Sequence, residues 1–390
     1  MKEKIIDITS LKEVFVRLYG SGGEIRHYFA PGRVNLIGEY IDFNGGYVFP
    51  CALTMGTYMV VRKREDTRIR FYSMNFEEMG VINSKVDDFL FGKENNWTEY
   101  PKGIIWTFVK NGYEVPTGMD ILVYGDIPNG SGLSSSASIE VVTGLMLRDL
   151  FNHKTLSMQD IACMGQYSEN NYNGMNCGIM DQFAIAMGKK NHAIYLNTGD
   201  LSYEYVPVDL GEYKIVIANT NKKRSLTESK YNERRSECDK AFSILSGVRD
   251  IKCLCDLTPE MFEECKSVLK DPVLIRRVKH TVYENERTRQ AVAALRAGDL
   301  FTFGKLMNQS HLSLEQDYEV TGVHLDTLVH EAWKCEGVLG SRMTGAGFGG
   351  CTVSIVHRDH IQEFEQKTGE AYEAKTGYHA DYYVAGIGEI

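Results

Sequence analysis

The sequence predicts an α+β protein of two domains, divided near residue 205 into 1–205 and 206–390. Apolar runs of strand length alternate with amphipathic segments through the first half, which points to an α+β or α/β layer rather than a helical bundle. A stretch ending near Lys334 is mostly helical, and the chain returns to strand after it. With 390 residues, 43% of them hydrophobic, the chain can bury one or two sizeable cores.

Taken in order, strands are expected at Arg26–Ala30, Tyr58–Lys63, Arg68–Tyr72 and Met119–Gly125, where Ile121 to Tyr124 is apolar. Helices follow near 134–151, where Ile139, Val142, Leu145 and Met146 recur at helical spacing, and near 158–171. His192–Asn197 and Tyr213–Asn219 read as strands, Thr227 to Leu245 as a helix, and Cys351–Val356 and Tyr382–Ala385 as the last strands.

Between the strand at 119–125 and the helix after it lies Pro128-Asn-Gly-Ser-Gly-Leu-Ser-Ser-Ser-Ala137. A glycine-rich loop opening a helix collects unsatisfied N–H groups and the positive end of the helix dipole, which suits phosphate. Gly130 and Gly132 permit close backbone approach, with Ser131 and Leu133 between and beyond them. Ser134, Ser135 and Ser136 add hydroxyls for phosphate oxygens or Mg²⁺. A plain serine-capped turn is the alternative. The segment Ala30–Gly46 sets Arg33, Glu39 and Asp42 among glycines. Carboxylates three apart accept from the hydroxyls of a neutral polyol, and an arginine beside them suits a transferring phosphoryl group.

Composition narrows the class. A formal net charge of −9 argues against broad nucleic-acid binding, and Lys222–Arg224, Arg234-Arg235 and Arg276-Arg277 read as solvated helix faces. Nine cysteines without paired CxxC spacing suggest a reduced, cytoplasmic protein. No apolar stretch approaches membrane-spanning length, so no membrane partner is expected.

Here the residues carry a resemblance. Gly32-Arg-Val-Asn-Leu-Ile-Gly-Glu39, then Asp42 and Asn44-Gly-Gly46, resembles the signature of galactokinases. The loop at 130–137 resembles the ATP-binding motif of their superfamily, which includes homoserine, mevalonate and phosphomevalonate kinases. Ser341–Cys351 resembles its third motif, and Met175–Phe183 the segment carrying the catalytic aspartate. The resemblance implies two packed domains enclosing an active site and transfer of the ATP γ-phosphoryl to the anomeric 1-OH of galactose. Asp181 would accept or orient that proton, with Arg33 stabilising the developing charge. Glu39, Tyr40, Ile41, Asp42, Gly178 and Tyr231 would contact the sugar. Gly130 to Ser136 and Trp97, with Tyr100 nearby, would hold ATP, while Ser136 and Glu169 would ligate Mg²⁺. Galactose and ATP are then the partners, and a monomer or weak oligomer is expected.

Gly345-Ala-Gly-Phe-Gly-Gly350 also satisfies G-x-G-x-x-G, but a strand rather than a helix follows, which excludes a dinucleotide fold. Galactokinases usually carry His-Thr-Asp-Tyr after the glutamate, whereas this chain has Tyr40-Ile41-Asp42-Phe43. A kinase for a related hexose such as N-acetylgalactosamine is therefore the alternative. A non-catalytic galactose and ATP sensor is a further one, opposed by the intact serine loop, Arg33 and Asp181. Mevalonate-type substrates bring a carboxylate that Glu39 and Asp42 would repel.

Overall fold

The computed structural model describes residues 7–87, 96–128, 131–222 and 227–390, so Gly130 lies outside the described residues. The first half runs α1 (Ile8–Tyr19), β1 (Arg26–Asn35), β2 (Tyr47–Val48), β3 (Pro50–Lys63), β4 (Arg68–Ser73), β5 (Ile82–Lys85), α2 (Glu99–Lys110), β6 (Met119–Gly125), α3 (Ser135–Leu150), α4 (Met158–Asn171), α5 (Met180–Ala186), β7 (His192–Asn197) and β8 (Tyr203–Pro207). The second half runs β9 (Tyr213–Asn219), α6 (Thr227–Leu245), α7 (Pro259–Cys265), α8 (Pro272–Arg296), α9 (Leu300–Ser313), α10 (Gly322–Ala332), β10 (Val338–Thr344), β11 (Cys351–His357), α11 (Ile361–Thr376) and β12 (Asp381–Ala385).

A five-stranded sheet of order β1-β3-β6-β4-β5 forms the first layer, antiparallel except where β4 meets β6. Strand periodicity sorts its side chains. Met59, Val61 and Ile121 join the core under α3 and α5, while Val60 and Leu122 meet Leu11 and Phe15 of α1 on the other face. The second half is built around the sheet β10-β11-β9-β12. Ile215, Ile217, Val353 and Ile355 pack with Phe303 and Met307 of α9, and Val216 and Val356 with Ala332 and Phe364. This α+β architecture agrees with the sequence expectation.

The two halves share a core. Val34, Leu36, Ile37, Phe49 and Leu53 from the first half are in the same apolar cluster as Ile215, Phe303 and Val353 from the second. The C-terminal tail returns to the first half, with the Gly388 N–H donating to the Ala52 carbonyl at 3.0 Å. Residues 205 and 206 fall inside β8, where they pair with Ile194 and Ala193 of β7.

Several elements were not expected: α1, α2, β10 and α11 among them. Strand β10 carries Gly340, Ser341, Arg342 and Thr344 in place of an apolar run, because what it buries is polar. One member of each basic pair is also corrected, while Arg235 and Arg276 stay partly exposed. Arg234 and Arg277 are buried rather than solvated, and they bind the backbone of the π-helical turn 314–318 through the Tyr318 carbonyl at 2.8 Å and the Asp317 carbonyl at 2.7 Å.

Asp120 on β6 is only 1% exposed and pairs with Arg62, Arg64 and Arg70 at 2.8, 2.9 and 2.6 Å. Burial would raise its carboxyl, but hydrogen bonds from Arg70 and Arg62 outweigh this and hold it below the usual range. Removing the carboxylate leaves three guanidinium groups without their shared partner. Asp120→Ala is expected to cost about 3 kcal/mol, measured by urea unfolding.

Candidate active site

The end of β1 places Arg33 at the centre of the first half, only 3% exposed. A buried guanidinium needs acceptors. Its Nε and Nη2 donate to Asp181 Oδ1 and Oδ2 at 2.7 and 2.9 Å, and Nη1 donates to the Gly132 carbonyl at 2.8 Å. Burial alone would lower the Arg33 pKa, but Asp181 and Glu39 reverse that and raise it, so the group stays cationic. The expected Arg33–Asp181 pair is thus present, bidentate and docked on the serine–glycine loop.

Ser134 stands in the left-handed region at φ 62°, and its hydroxyl donates to Asp181 Oδ2 instead of capping α3. A non-glycine residue there is strained, and the strain is held where the carboxylate needs a donor. The sequence reading put Ser134 on the nucleotide; the structure puts it on Asp181. Ser135 and Ser136 line a separate pocket of about 240 Å³ with Trp97, Tyr100, Phe76 and Ile139. Apolar walls beside a helix N-terminus suit an aromatic base carrying phosphates. Leu133 is buried in the shared core and offers its carbonyl to the Arg33 N–H at 3.2 Å, while Ser131 is also buried.

A second pocket adjoins the Arg33–Asp181 pair. Arg33, Glu39, Tyr40, Asp42, Cys177, Gly178, Asp181, Tyr231 and Gly345 are among its lining residues. Sequence motifs from both halves therefore converge on one cavity. Ile41 is absent from that lining: its side chain is fully buried in the core, because the turn points Tyr40 and Asp42 into the pocket and Ile41 away from it. Tyr40 has φ 63° and donates its hydroxyl to the Ala346 carbonyl of the third motif. Its ring lies 5.2 Å from that of Tyr231 and 4.8 Å from that of Tyr318.

Glycine at 178 is required by Asp42, since a Cβ there would sit 2.0 Å from Asp42 Oδ2. Gly178, expected against the sugar, thus lies directly against a pocket carboxylate. Gly345, at φ 82°, would place a Cβ 2.7 Å from the Gly132 carbonyl, so the third motif rests directly on the serine–glycine loop. Burial and then the charge of Asp181 push the Asp42 carboxyl up to about 7. Burial also raises that of Glu39, opposed by Arg342 and Arg33.

Glu169 is buried, contrary to its look of an exposed helix residue, and it neighbours the fully buried Glu140. Burial and then Glu169 push the Glu140 carboxyl well up, and Glu140 Oε2 accepts from Gln182 Nε2 at 3.0 Å. Hard oxygen donors such as Ser136 and Glu169 fit Mg²⁺. His311, Glu315 and His330 also bring metal-type donor atoms within 4.8 Å of one another. However, the Met343 N–H donates to His311 Nδ1 at 3.2 Å, so the neutral ring carries its proton on Nε2, 3.4 Å from Asp326 Oδ1. Within the cluster His330 Nε2 lies 3.1 Å from Glu315 Oε2, whereas His311 Nε2 makes no hydrogen bond among the described residues. Glu140, Arg342, Glu284 and His280 were not anticipated; the one local signal was at Glu140, a charge inside the apolar run Ile139-Glu-Val-Val142.

Comparison with known proteins agrees with this geometry. Residues 13–63 match the galactokinase galactose-binding signature, 99–189 the GHMP kinases N terminal domain and 291–374 the GHMP kinases C terminal domain. A galactokinase of Clostridium beijerinckii is 55% identical over 383 residues, 98% of each chain. One of Ligilactobacillus salivarius is 50% identical over 384 residues, 98% of this chain and 99% of that one. The crystal structure of Lactococcus lactis galactokinase complexed with galactose superposes with a TM-score of 0.96 at 47% identity, covering 98% of both chains. The Methanococcus jannaschii mevalonate kinase, at 20% identity and TM-score 0.61 over 95% of this chain and 99% of that one, shares the fold.

Gly178→Ala is expected to displace Asp42 and weaken ligand binding in this pocket about 10- to 100-fold, checked by calorimetry with galactose as the probe. Asp42 gives a second test. Folding raises its carboxyl pKa, so the folded state holds the proton more tightly and stability falls as pH rises from the ordinary carboxylate range to about 7. Asp42→Asn should therefore raise the Tm of the unliganded protein by about 2–4 °C at about pH 8 and by less near pH 5, followed by thermal unfolding.

Proposed function

The chain belongs to the galactokinase family, and on that premise we propose that it transfers the γ-phosphoryl of ATP to the anomeric hydroxyl of α-D-galactose, giving α-D-galactose 1-phosphate and ADP. The observation that carries this reading is the position of the Arg33–Asp181 pair. It adjoins a pocket lined by Glu39, Asp42 and Tyr231 and contacts the loop that leads into the apolar cleft.

The chemistry follows from which acceptor positions remain. A carboxylate offers roughly four, and on Asp181 Arg33 takes one on each oxygen while Ser134 takes a second on Oδ2. The free position is on Oδ1, where the anomeric hydroxyl would be oriented and its proton received. Arg33, held cationic beside it, stabilises charge developing on that oxygen and on the transferring phosphoryl group. Glu39 and Asp42 accept from other sugar hydroxyls, so that an analogue lacking one leaves a buried partner unpaired. Tyr231 and Tyr40 form an aromatic wall of the pocket. Trp97 and Tyr100 flank the base, with Ser135 and Ser136 near the phosphates. Mg²⁺, held by Ser136 and Glu169, would neutralise phosphate charge when bound.

Among the described residues no helix is long and apolar enough to cross a membrane, and the cysteines there are all free; both support placing this enzyme in the cytoplasm. The function is tested by ADP release from MgATP with galactose, N-acetylgalactosamine, glucose, arabinose and mevalonate. Turnover of galactose is expected, with Asp181→Ala lowering kcat by about 1,000-fold. Preference for N-acetylgalactosamine would reassign the substrate, and binding of galactose without turnover would make the protein a sensor.

A further inference from the structure

Glu39 follows β1 in the first half of the chain, yet its turn is held from the second half. The Gly38 N–H donates to Glu284 Oε1 on α8 at 3.0 Å, and the Glu39 carbonyl meets His280 Nε2 at 3.0 Å. Glu39 Oε1 accepts from the Gly345 N–H at 2.7 Å and from Arg342 Nη1 at 3.5 Å. Arg342 is fully buried on β10. Its Nη1 also donates to the Asn35 carbonyl at 2.9 Å, and its Nε to Ser310 Oγ at 3.2 Å. The Ser310 hydroxyl in turn donates to Glu284 Oε1, and Arg287 Nε donates to Glu284 Oε2 at 2.8 Å. The chain of contacts closes on itself: Glu39, Arg342, Ser310, Glu284 and back to the Gly38 N–H.

Arg33, the other nearby cation, commits Nε, Nη1 and Nη2 to Asp181 and Gly132. Arg342 is thus the cation hydrogen-bonded to Glu39. It and the Gly345 N–H engage the same oxygen, Oε1, so a ligand hydroxyl would be received on Oε2, with the Asn35 side chain also bearing on the carboxylate. From this arrangement we infer that Arg342, braced by Ser310 and Glu284, is the positioning residue that fixes Glu39 for sugar recognition. It touches neither substrate nor phosphate and acts through Glu39. Sugar affinity is then set jointly by the first signature and by a strand of the second half.

The inference rests on the galactokinase reading, and one experiment separates the two. Steady-state kinetics are measured for the full-length protein and for Arg342→Met and Ser310→Ala, each alone and combined with Glu39→Gln. Wild-type turnover of galactose tests the reading; the variant-to-wild-type KM ratio, taken with whichever sugar the wild type uses, tests the inference. Arg342→Met is expected to raise the sugar KM about 10- to 100-fold and Ser310→Ala about 3- to 10-fold, with the ATP KM within about twofold. In the Glu39→Gln background each should add less than about twofold, because the partner they position is already altered. Equal effects in both backgrounds, or a fall in kcat with the sugar KM unchanged, would overturn it. Should Arg342→Met fail to fold by circular dichroism, Ser310→Ala, which removes one hydroxyl, decides by the same criteria.

Discussion

A guanidinium removed from water must be surrounded by acceptors, and Arg33 meets that requirement by drawing three parts of the chain to one point. Asp181 comes from the start of α5, the Gly132 carbonyl from the serine–glycine loop, and Arg33 itself from β1. Each needs its own local strain or fit. Ser134 adopts a left-handed backbone to reach Asp181, and Gly345 lacks a Cβ so that the third motif can lie against Gly132. The same contacts that solve the burial problem set the Asp181 carboxylate beside the serine–glycine loop. Structure and chemistry here have one cause.

Burying a second set of charges binds the halves together. Glu39, Arg342 and Glu284 are each at most 2% exposed, and their hydrogen bonds cross between first-half and second-half elements. Burial would raise the Glu284 carboxyl, but Arg287 and His280 overcome this and bring it to about 2. Such networks are worth much when complete and costly when broken. They run alongside the apolar cluster in which Leu36 and Phe49 meet Phe303 and Val353, so polar and apolar contacts both join the halves.

The departures after Glu39 acquire a physical reading in this setting. Tyr40 reaches across to the Ala346 carbonyl and sits among Phe43, Tyr231 and Tyr318. Such contacts are too extensive for the ring to swing aside cheaply, so it is a fixed wall. Ile41 fills core space and Phe43 edges Tyr231. Ile41 and Phe43 contribute packing, while Tyr40 both packs and hydrogen-bonds, around the carboxylate of Asp42.

The sequence by itself determined the α+β class, most strands, the helix after the serine loop and the pairing of Arg33 with Asp181. The class, strands and helix follow from local periodicity and turn chemistry, and the pairing from the motifs that carry the family resemblance. The sequence motifs and the resemblance they carry also named Glu39, Asp42, Gly178 and Tyr231, which the fold gathers around one pocket. Tertiary structure alone decided that Ile41 turns into the core, that Ser134 serves Asp181, that Glu169 and Arg234 are buried, and that β10 is a strand. Each depends on what lies opposite in space: a carboxylate, a backbone carbonyl or a neighbouring sheet. Arg342 shows the limit most clearly, since nothing around Ser341-Arg-Met343 indicates that its partner is a glutamate some 300 residues earlier. Local patterns report the face a side chain presents; only the assembled fold reports what meets it.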